Sequence, residues 1–409
     1  MDRIPVWSLA AVVLVGWLGA AYYVPRAPLT GTTPFTWVWA AYDTGRAAQL
    51  VGWCLLGVAL ALWLPMGRGV TLPELAGSVS VTLNRLRVWW LLIAVTGVAL
   101  LVYVKGPLLL TAPRYLEFTA PGPLVSIANL MAPVTAVAAG ITSLRRPVVG
   151  WAVALAMIVV LFAYSTRVFA GVAVLFLLGR VLAGARAGLG AIVATLAYTV
   201  FALPIPLMNR DQQAHGLLPY LEYTRDFVTG GDFVSGALLV GAENVGFSVP
   251  LLVYVADHAE FSARNLLVSV NPLPASLAGW TEISDAMRVH LYIPFSMLGE
   301  LAHVGGPVLA GGVALWGVVV RLCLQRVTRP GNPLMPFFTA GMLGLSMICV
   351  VYSAQYNTRA VARLLWVMVL VVALDNLVRR AWRLYRGWRA RGRPVTGVTP
   401  DRASPPGPR

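Results

Sequence analysis

Glu300 and His303 stand one helical turn apart, ten residues after His290 and just ahead of an apolar run that begins at Gly305. Carboxylate and imidazole are the side chains that can accept a proton near neutral pH, because burial and neighbours tune their pKa values. A second set of residues is cationic. Arg167 lies in "FAYSTRVFAGV", Arg210 in "MNRD", and Arg288 two residues before His290, while Arg359 and Arg363 are spaced i,i+4 in "YNTRAVARLLW". Guanidinium groups pair with phosphate oxygens through a rigid fork of donors. Several arginines at one depth would make an anion site. For each arginine taken singly, snorkelling at a membrane edge is the competing reading.

The elements that must position these groups are membrane helices. Of 409 residues, 58% are hydrophobic and 11% are charged, and the mean hydropathy is +0.75. That much apolar surface exceeds what a soluble core can bury and fits repeated crossing of a bilayer. The net charge of +15 does not imply nucleic acid, since the arginines punctuate apolar runs instead of forming a basic domain, and Lys105 is the sole lysine. Cys54, Cys323 and Cys349 lie in or beside apolar runs at spacings that fit neither a disulfide framework nor a metal site.

A crossing needs about 20 apolar residues. Ten runs qualify: 6–24, 47–66, 88–104, 123–144, 147–164, 168–184, 189–207, 305–322, 334–353 and 361–378. The expected fold is therefore all-α and polytopic, a single integral-membrane domain over residues 1–378 with one large external loop, 208–304, containing short helices. A basic, partly disordered cytoplasmic tail occupies 379–409. Arg3, Arg68, Arg85, Arg87, Arg145, Arg146, Arg180, Arg186, Arg321, Arg326, Arg329 and the tail share one side, which places both termini in the cytoplasm. Arginines alternating with Trp382, Tyr385 and Trp388 in "RRAWRLYRGWRARGR" read as a stop-transfer anchor, with recognition of acidic lipid headgroups as the other reading.

The loop 208–304 holds all four histidines, His215, His258, His290 and His303, and ten of the sixteen acidic residues. A long connection of this kind is functional or carries structure of its own. Within it "FVSGALLVGAENVGFSVPLLVYV" is too apolar for water and is expected to pack as an amphipathic or re-entrant helix on the membrane surface. Glu222 and Asp226 with Arg225, Glu260 with Arg264, and Asp375 with Arg379 are spaced as helical ion pairs. Asp257 beside His258 lacks a further ligand at metal-binding spacing, so no metal is expected, and there is no phosphate loop for a nucleotide cofactor. Glu300 resists such pairing, with no cation in the next twenty residues, and an ionisable group at that depth is a functional candidate. Its alternative is a headgroup-level residue that touches water.

The segment "PFSMLGELAHVGGPVLAGGVALWGVVV", with the isolated "STR" and the late "NTRAVAR", resembles the O-antigen polymerase (Wzy-like) and oligosaccharide repeat-unit polymerase families. Those families show a small-residue segment, then Gly-Glu, then a Gly-Gly-rich start of a span. The specific match covers about residues 290–320 and two short arginine motifs. "LAHVGG" departs from the usual run after the Glu and leaves the role of His303 open. The resemblance implies a metal-independent glycosyltransferase of the bacterial inner membrane. Its substrate would be oligosaccharide on a polyprenyl pyrophosphate, and a flippase and a chain-length regulator would be its partners. Arg167, Arg210, Arg288, Arg359 and Arg363 would bind the pyrophosphate leaving group. Glu300 or His290, with His303 next, would take the proton of the acceptor hydroxyl. An O-antigen ligase shares this chemistry and differs in acceptor. A lipid-linked glycan flippase would instead show buried mid-span charges and repeated halves. A polyprenyl-phosphate-sugar glycosyltransferase would show an acidic pair in the first external loop, where only Asp43 stands.

Overall fold

The computed structural model describes residues 2–25, 36–65, 86–114, 117–166, 168–203, 205–210, 212–230, 246–260, 262–290, 293–329 and 335–391, with positions 77, 80, 81, 83, 234, 242 and 243. The described residues are mostly helical. Among the described residues six helices are long and apolar enough to cross a membrane: α1 (Ile4–Tyr23), α3 (Thr44–Trp63), α4 (Arg87–Lys105), α5 (Gly122–Ser143), α15 (Gly306–Val327) and α17 (Thr358–Arg391). Four shorter apolar stretches fall in α6 (Pro147–Ala163), α7 (Val168–Leu182), α8 (Leu189–Ala202) and the latter part of α16 (Met335–Gln355). This is an all-α membrane protein. Short elements complete it: α2 (Thr36–Ala40), α9 (Ile205–Arg210), α10 (Leu217–Thr229), α11 (Ser248–His258), α12 (Ala263–Val270), α13 (Trp280–Ile283) and α14 (Met297–Val304). Strands β1 (Arg288–His290) and β2 (Ile293–Pro294) pair as a small antiparallel hairpin.

Helix starts follow local chemistry. Asp43 accepts the Arg46 N–H at the head of α3, and Ser262 and Ser296 do the same for Asn265 and Gly299. Proline occupies the first turn of α1, α5, α6 and α15, where its missing N–H costs nothing. Two large apolar cores result among the described residues. One gathers α1, α3, α11 and α14 to α17, around Leu9, Leu50, Val313, Trp316 and Met368. The other gathers α4 to α10, around Leu101, Met157, Leu161, Phe169 and Tyr220.

The second bundle is packed through small residues. A methyl group built on Gly140 would overlap the Phe176 carbonyl, and one on Gly179 the Val137 carbonyl, so α5 and α7 meet backbone to backbone. Such close approach supplies contacts where lipid tails remove any hydrophobic drive between helices.

Each bundle end has its own polar fastening. At one end Arg321 is 1% exposed, pairs with Asp2 at 3.1 Å and donates to the Ala61 and Leu64 carbonyls. Nearby, Arg379 pairs with Asp375 at 2.6 Å and reaches the Arg326 and Val327 carbonyls. Met335, at the start of α16, packs on Leu83, Ile141 and Ala183 and joins this end to the second bundle. At the other end Arg46 pairs with Asp257 at 2.9 Å.

Two expectations change. The apolar loop segment is described at 234, 242 and 243 and from 246 on. There α11 is no surface helix: Ser248 to Val253 and Val255 are all buried, because α1, α3, α14 and α16 surround it. Arg264 pairs with Glu282 at 2.7 Å instead of with Glu260, since α12 and α13 fold against each other. Beyond the expected span end at 378 the last helix runs on into the basic tail as far as Arg391, because that segment contains no helix breaker stronger than Gly387. The Pro-rich end, from 392, lies outside the described residues.

Gly140→Ala should lower the melting temperature of the purified protein, at a cost of about 1–3 kcal/mol for forced overpacking. Gly171, in the same bundle, has open space at its Cβ, and Gly171→Ala should leave melting unchanged or raise it. Equal effects in a thermal melt would contradict the backbone contact.

Candidate functional site

The site is built where α14 and α17 meet. Ser296 caps α14, and the Met297 N–H donates to the Tyr356 carbonyl at 2.8 Å, tying the start of α14 to the turn that begins α17. Glu300, one turn into α14, then faces the first residue of α17. The Thr358 N–H donates to Glu300 Oε2 at 3.1 Å. An N-terminal helix N–H has no partner within its own helix, so a carboxylate from a neighbouring helix meets that need and also sits at the positive end of the helix dipole.

Glu300 is completely buried. The reading of a headgroup-level residue touching water does not survive. Burial pushes its pKa from 4.5 up to about 7, while the side chain and backbone of Thr358 pull the other way. Its second oxygen, Oε1, has no hydrogen-bond partner among the described residues. A carboxyl group poised near neutrality, with one oxygen held and the other uncommitted, has the properties of a general base.

Arg359 follows directly on Thr358 and is 2% exposed, so it is no snorkelling arginine. Its Nη1 donates to the Val268 carbonyl at 2.7 Å and its Nη2 to the Leu273 carbonyl at 3.0 Å. The guanidinium carbon lies 5.0 Å from the centre of the Trp280 ring. Trp366 Nε1, two turns along α17, donates to the Val270 carbonyl at 2.9 Å. The segment 263–280 is thereby fastened along the first turns of α17 by a fork on two carbonyls. Lysine, with a compact point charge, could not reproduce that grip.

The other expected site residues are distributed as follows. Arg363 is exposed, one turn beyond Arg359. His303 is turned to the Ala256 carbonyl, 3.0 Å from its Nδ1, and so buttresses α11. Arg288 is exposed on β1, and His290 ends that strand, its side chain outside the described residues, as is that of Arg210 at the end of α9. Arg167 lies outside the described residues. Asp257 is committed to Arg46, and His258 stacks on Tyr254 with ring centres 4.6 Å apart.

A second polar cluster escaped the sequence reading. Lys105, the lone lysine, is 1% exposed at the end of α4, donates to the Glu117 carbonyl at 2.8 Å and lies 4.7 Å from the centre of the Phe118 ring. His215 is buried, pairs its backbone with Ala112, and holds Tyr220 Oη at 2.8 Å from Nδ1. Its basicity is lowered by burial and by the Lys105 charge, against a backbone hydrogen bond at Asn209. Ser165 adopts φ 51° and donates to the Pro206 carbonyl at 2.6 Å, fixing the turn just ahead of Arg167. The signal available was Lys105 itself, the only ammonium among thirty-one basic residues.

No family model, curated protein or solved structure matches this chain.

The raised pKa of Glu300 makes a prediction about stability. A carboxyl that holds its proton more tightly when folded contributes stability that is present below pH 4.5 and is lost as pH rises through about 7. Glu300→Gln should remove that loss. The melting temperature of the wild type, relative to Glu300→Gln, should fall between pH 5 and pH 8, near the window set by those two values. A difference that does not vary with pH would mean that Glu300 is not buried in this way.

Proposed function

We propose that this chain is a polytopic membrane glycosyltransferase that joins polyprenyl-pyrophosphate-linked oligosaccharide units at the outer face of a bacterial cytoplasmic membrane. The observation that carries the reading is Glu300, a buried carboxyl with pKa about 7 and one uncommitted oxygen, at the head of α17 beside the clamped Arg359. The resemblance of residues 290–320 to the O-antigen polymerase families supplies the substrate class. In this reading Glu300 takes the proton of the acceptor hydroxyl as that oxygen attacks the anomeric carbon, and the pyrophosphate departs to arginine. Arg359 acts as a positioning residue, holding segment 263–280 over the start of α17. Arg363 and Arg288, both exposed, would meet the phosphate as it arrives.

Ten crossings, with the six long and four shorter apolar helices as the spans, fit this reading. So does the separation of the two bundle ends, with Arg321, Arg326 and Arg379 gathered opposite Glu300. Both termini would then be cytoplasmic and residues 208–304 external. Cysteines placed at Gln213 and Arg329, both exposed, test the arrangement. An impermeant thiol reagent applied to intact cells should label position 213 and spare 329, the native cysteines being buried. Labelling of both from one side would refute the topology.

The reaction is tested by the lipid-linked glycan that accumulates. Cells whose only copy is Glu300→Gln should accumulate single lipid-linked repeat units on the outer face, with the protein inserted at normal levels. Arg359→Lys should lower polymer formation more than tenfold, since the carbonyl clamp needs a fork. Accumulation of long lipid-linked chains would point to a ligase, and of units on the inner face to a flippase. Normal polymer from both variants would remove the catalytic role.

A further inference from the structure

A groove of about 380 Å³ opens between the head of α4 and the turn joining α5 to α6, at the end of the second bundle that Met335 ties to the Arg321 end of the first. Arg87 and Leu91 of α4 line it, with Ile141 of α5 and Arg145 and Arg146 from the turn that follows. The Thr142 carbonyl accepts the N–H groups of both Arg145 and Arg146, at 3.2 Å and 2.9 Å, and this turn brings both arginines to the groove that Arg87 also lines. Thr142 also lines the groove, is 7% exposed, and its hydroxyl has no hydrogen-bond partner among the described residues. Among those residues no acidic side chain pairs with any of the three arginines. Three cations at one mouth repel each other unless an anion sits among them, and a buried hydroxyl without a partner costs free energy. A phosphodiester answers both needs, since its oxygens take bidentate arginines and a hydroxyl donor.

We infer that this groove binds an anionic phospholipid, its phosphate on Arg87, Arg145, Arg146 and the Thr142 hydroxyl, and an acyl chain along Leu91 and the lipid-facing side of α4. The apolar wall distinguishes this ligand from free phosphate, which would leave Leu91 and Ile141 unused. Val88, one residue on from Arg87 and 61% exposed, continues that wall toward the bilayer. The site lies away from Glu300 and does not rest on the proposed reaction.

The test uses the purified full chain in detergent, offered phosphatidylglycerol and phosphatidylethanolamine in equal amounts and read by native mass spectrometry. Phosphatidylglycerol should be retained preferentially. Arg87→Gln with Arg145→Gln should weaken that retention on the order of thirtyfold, from the loss of two basic contacts to an anionic headgroup. Thr142→Val changes no charge and should weaken it as well, which keeps the test decisive if the double variant fails to insert. Equal retention of the two lipids, or unchanged retention of phosphatidylglycerol in Thr142→Val, overturns the proposal. Displacement of the lipid by inorganic phosphate at millimolar concentration overturns it in favour of a free-anion site.

Discussion

A carboxylate withdrawn from water must find hydrogen bonds, and Glu300 finds one in the first N–H of α17. Much of the first bundle's polar end depends on that contact. The same N–H would otherwise be an orphan at a buried helix start, so each group supplies what the other lacks. The Met297 to Tyr356 backbone bond brings α14 close enough for it to form, and the cap at Ser296 sets the turn that aims Glu300. Because Thr358 and Arg359 are consecutive, the contact also places the buried guanidinium that fastens segment 263–280. Opposing influences fix the state of the carboxyl: burial raises its pKa, while the Thr358 hydrogen bonds and the helix terminus favour the ion.

Much of this could be read from the sequence, and the reasons are physical. Hydropathy marks helices because a bilayer allows only structures that satisfy their own backbone, so the apolar runs and the observed helices agree to within a few residues along most of the chain. Glu300 stood out because it lacked a cation at helical spacing, a property of sequence alone. Its partner did not, since Thr358 lies fifty-eight residues away and contributes only a backbone N–H, which no side chain advertises. Arg359 was legible as an arginine without a local acid. That its fork would close on two carbonyls depends on how α12 and the residues after it return across α17, which is a tertiary matter. The i,i+4 pair of Asp375 and Arg379 was found correctly because both members share one helix. Glu260 and Arg264 fail as a pair for the converse reason: α12 begins at Ala263, so Glu260 precedes the helix and has no fixed place on its face.

The two bundles bury charge by the same method. Arg321 in one and Lys105 in the other are each about 1% exposed, and each gives donors to main-chain carbonyls and not only to acids. The Ala61 and Leu64 carbonyls at the end of α3 carry partial negative charge and spare lone pairs, and the Glu117 carbonyl offers lone pairs from non-helical chain, so each cation satisfies backbone while losing less solvation than it would beside hydrocarbon. In a chain with about half as many acidic as basic residues, this is the acceptor supply that remains.

The unbroken course of α17 has a mechanical consequence. Thirty-four residues at 1.5 Å each make a rod of about 51 Å, against a hydrocarbon core of about 30 Å. Fitting that rod inside the core by inclination would take an angle of roughly 54°, beyond the range of about 0–40° seen for membrane helices. Part of it therefore stands in water. Thr358 at one tip and the arginines past Arg379 at the other belong to one stiff strut, so the attitude of the projecting basic arm and the seat of Glu300 cannot be altered independently.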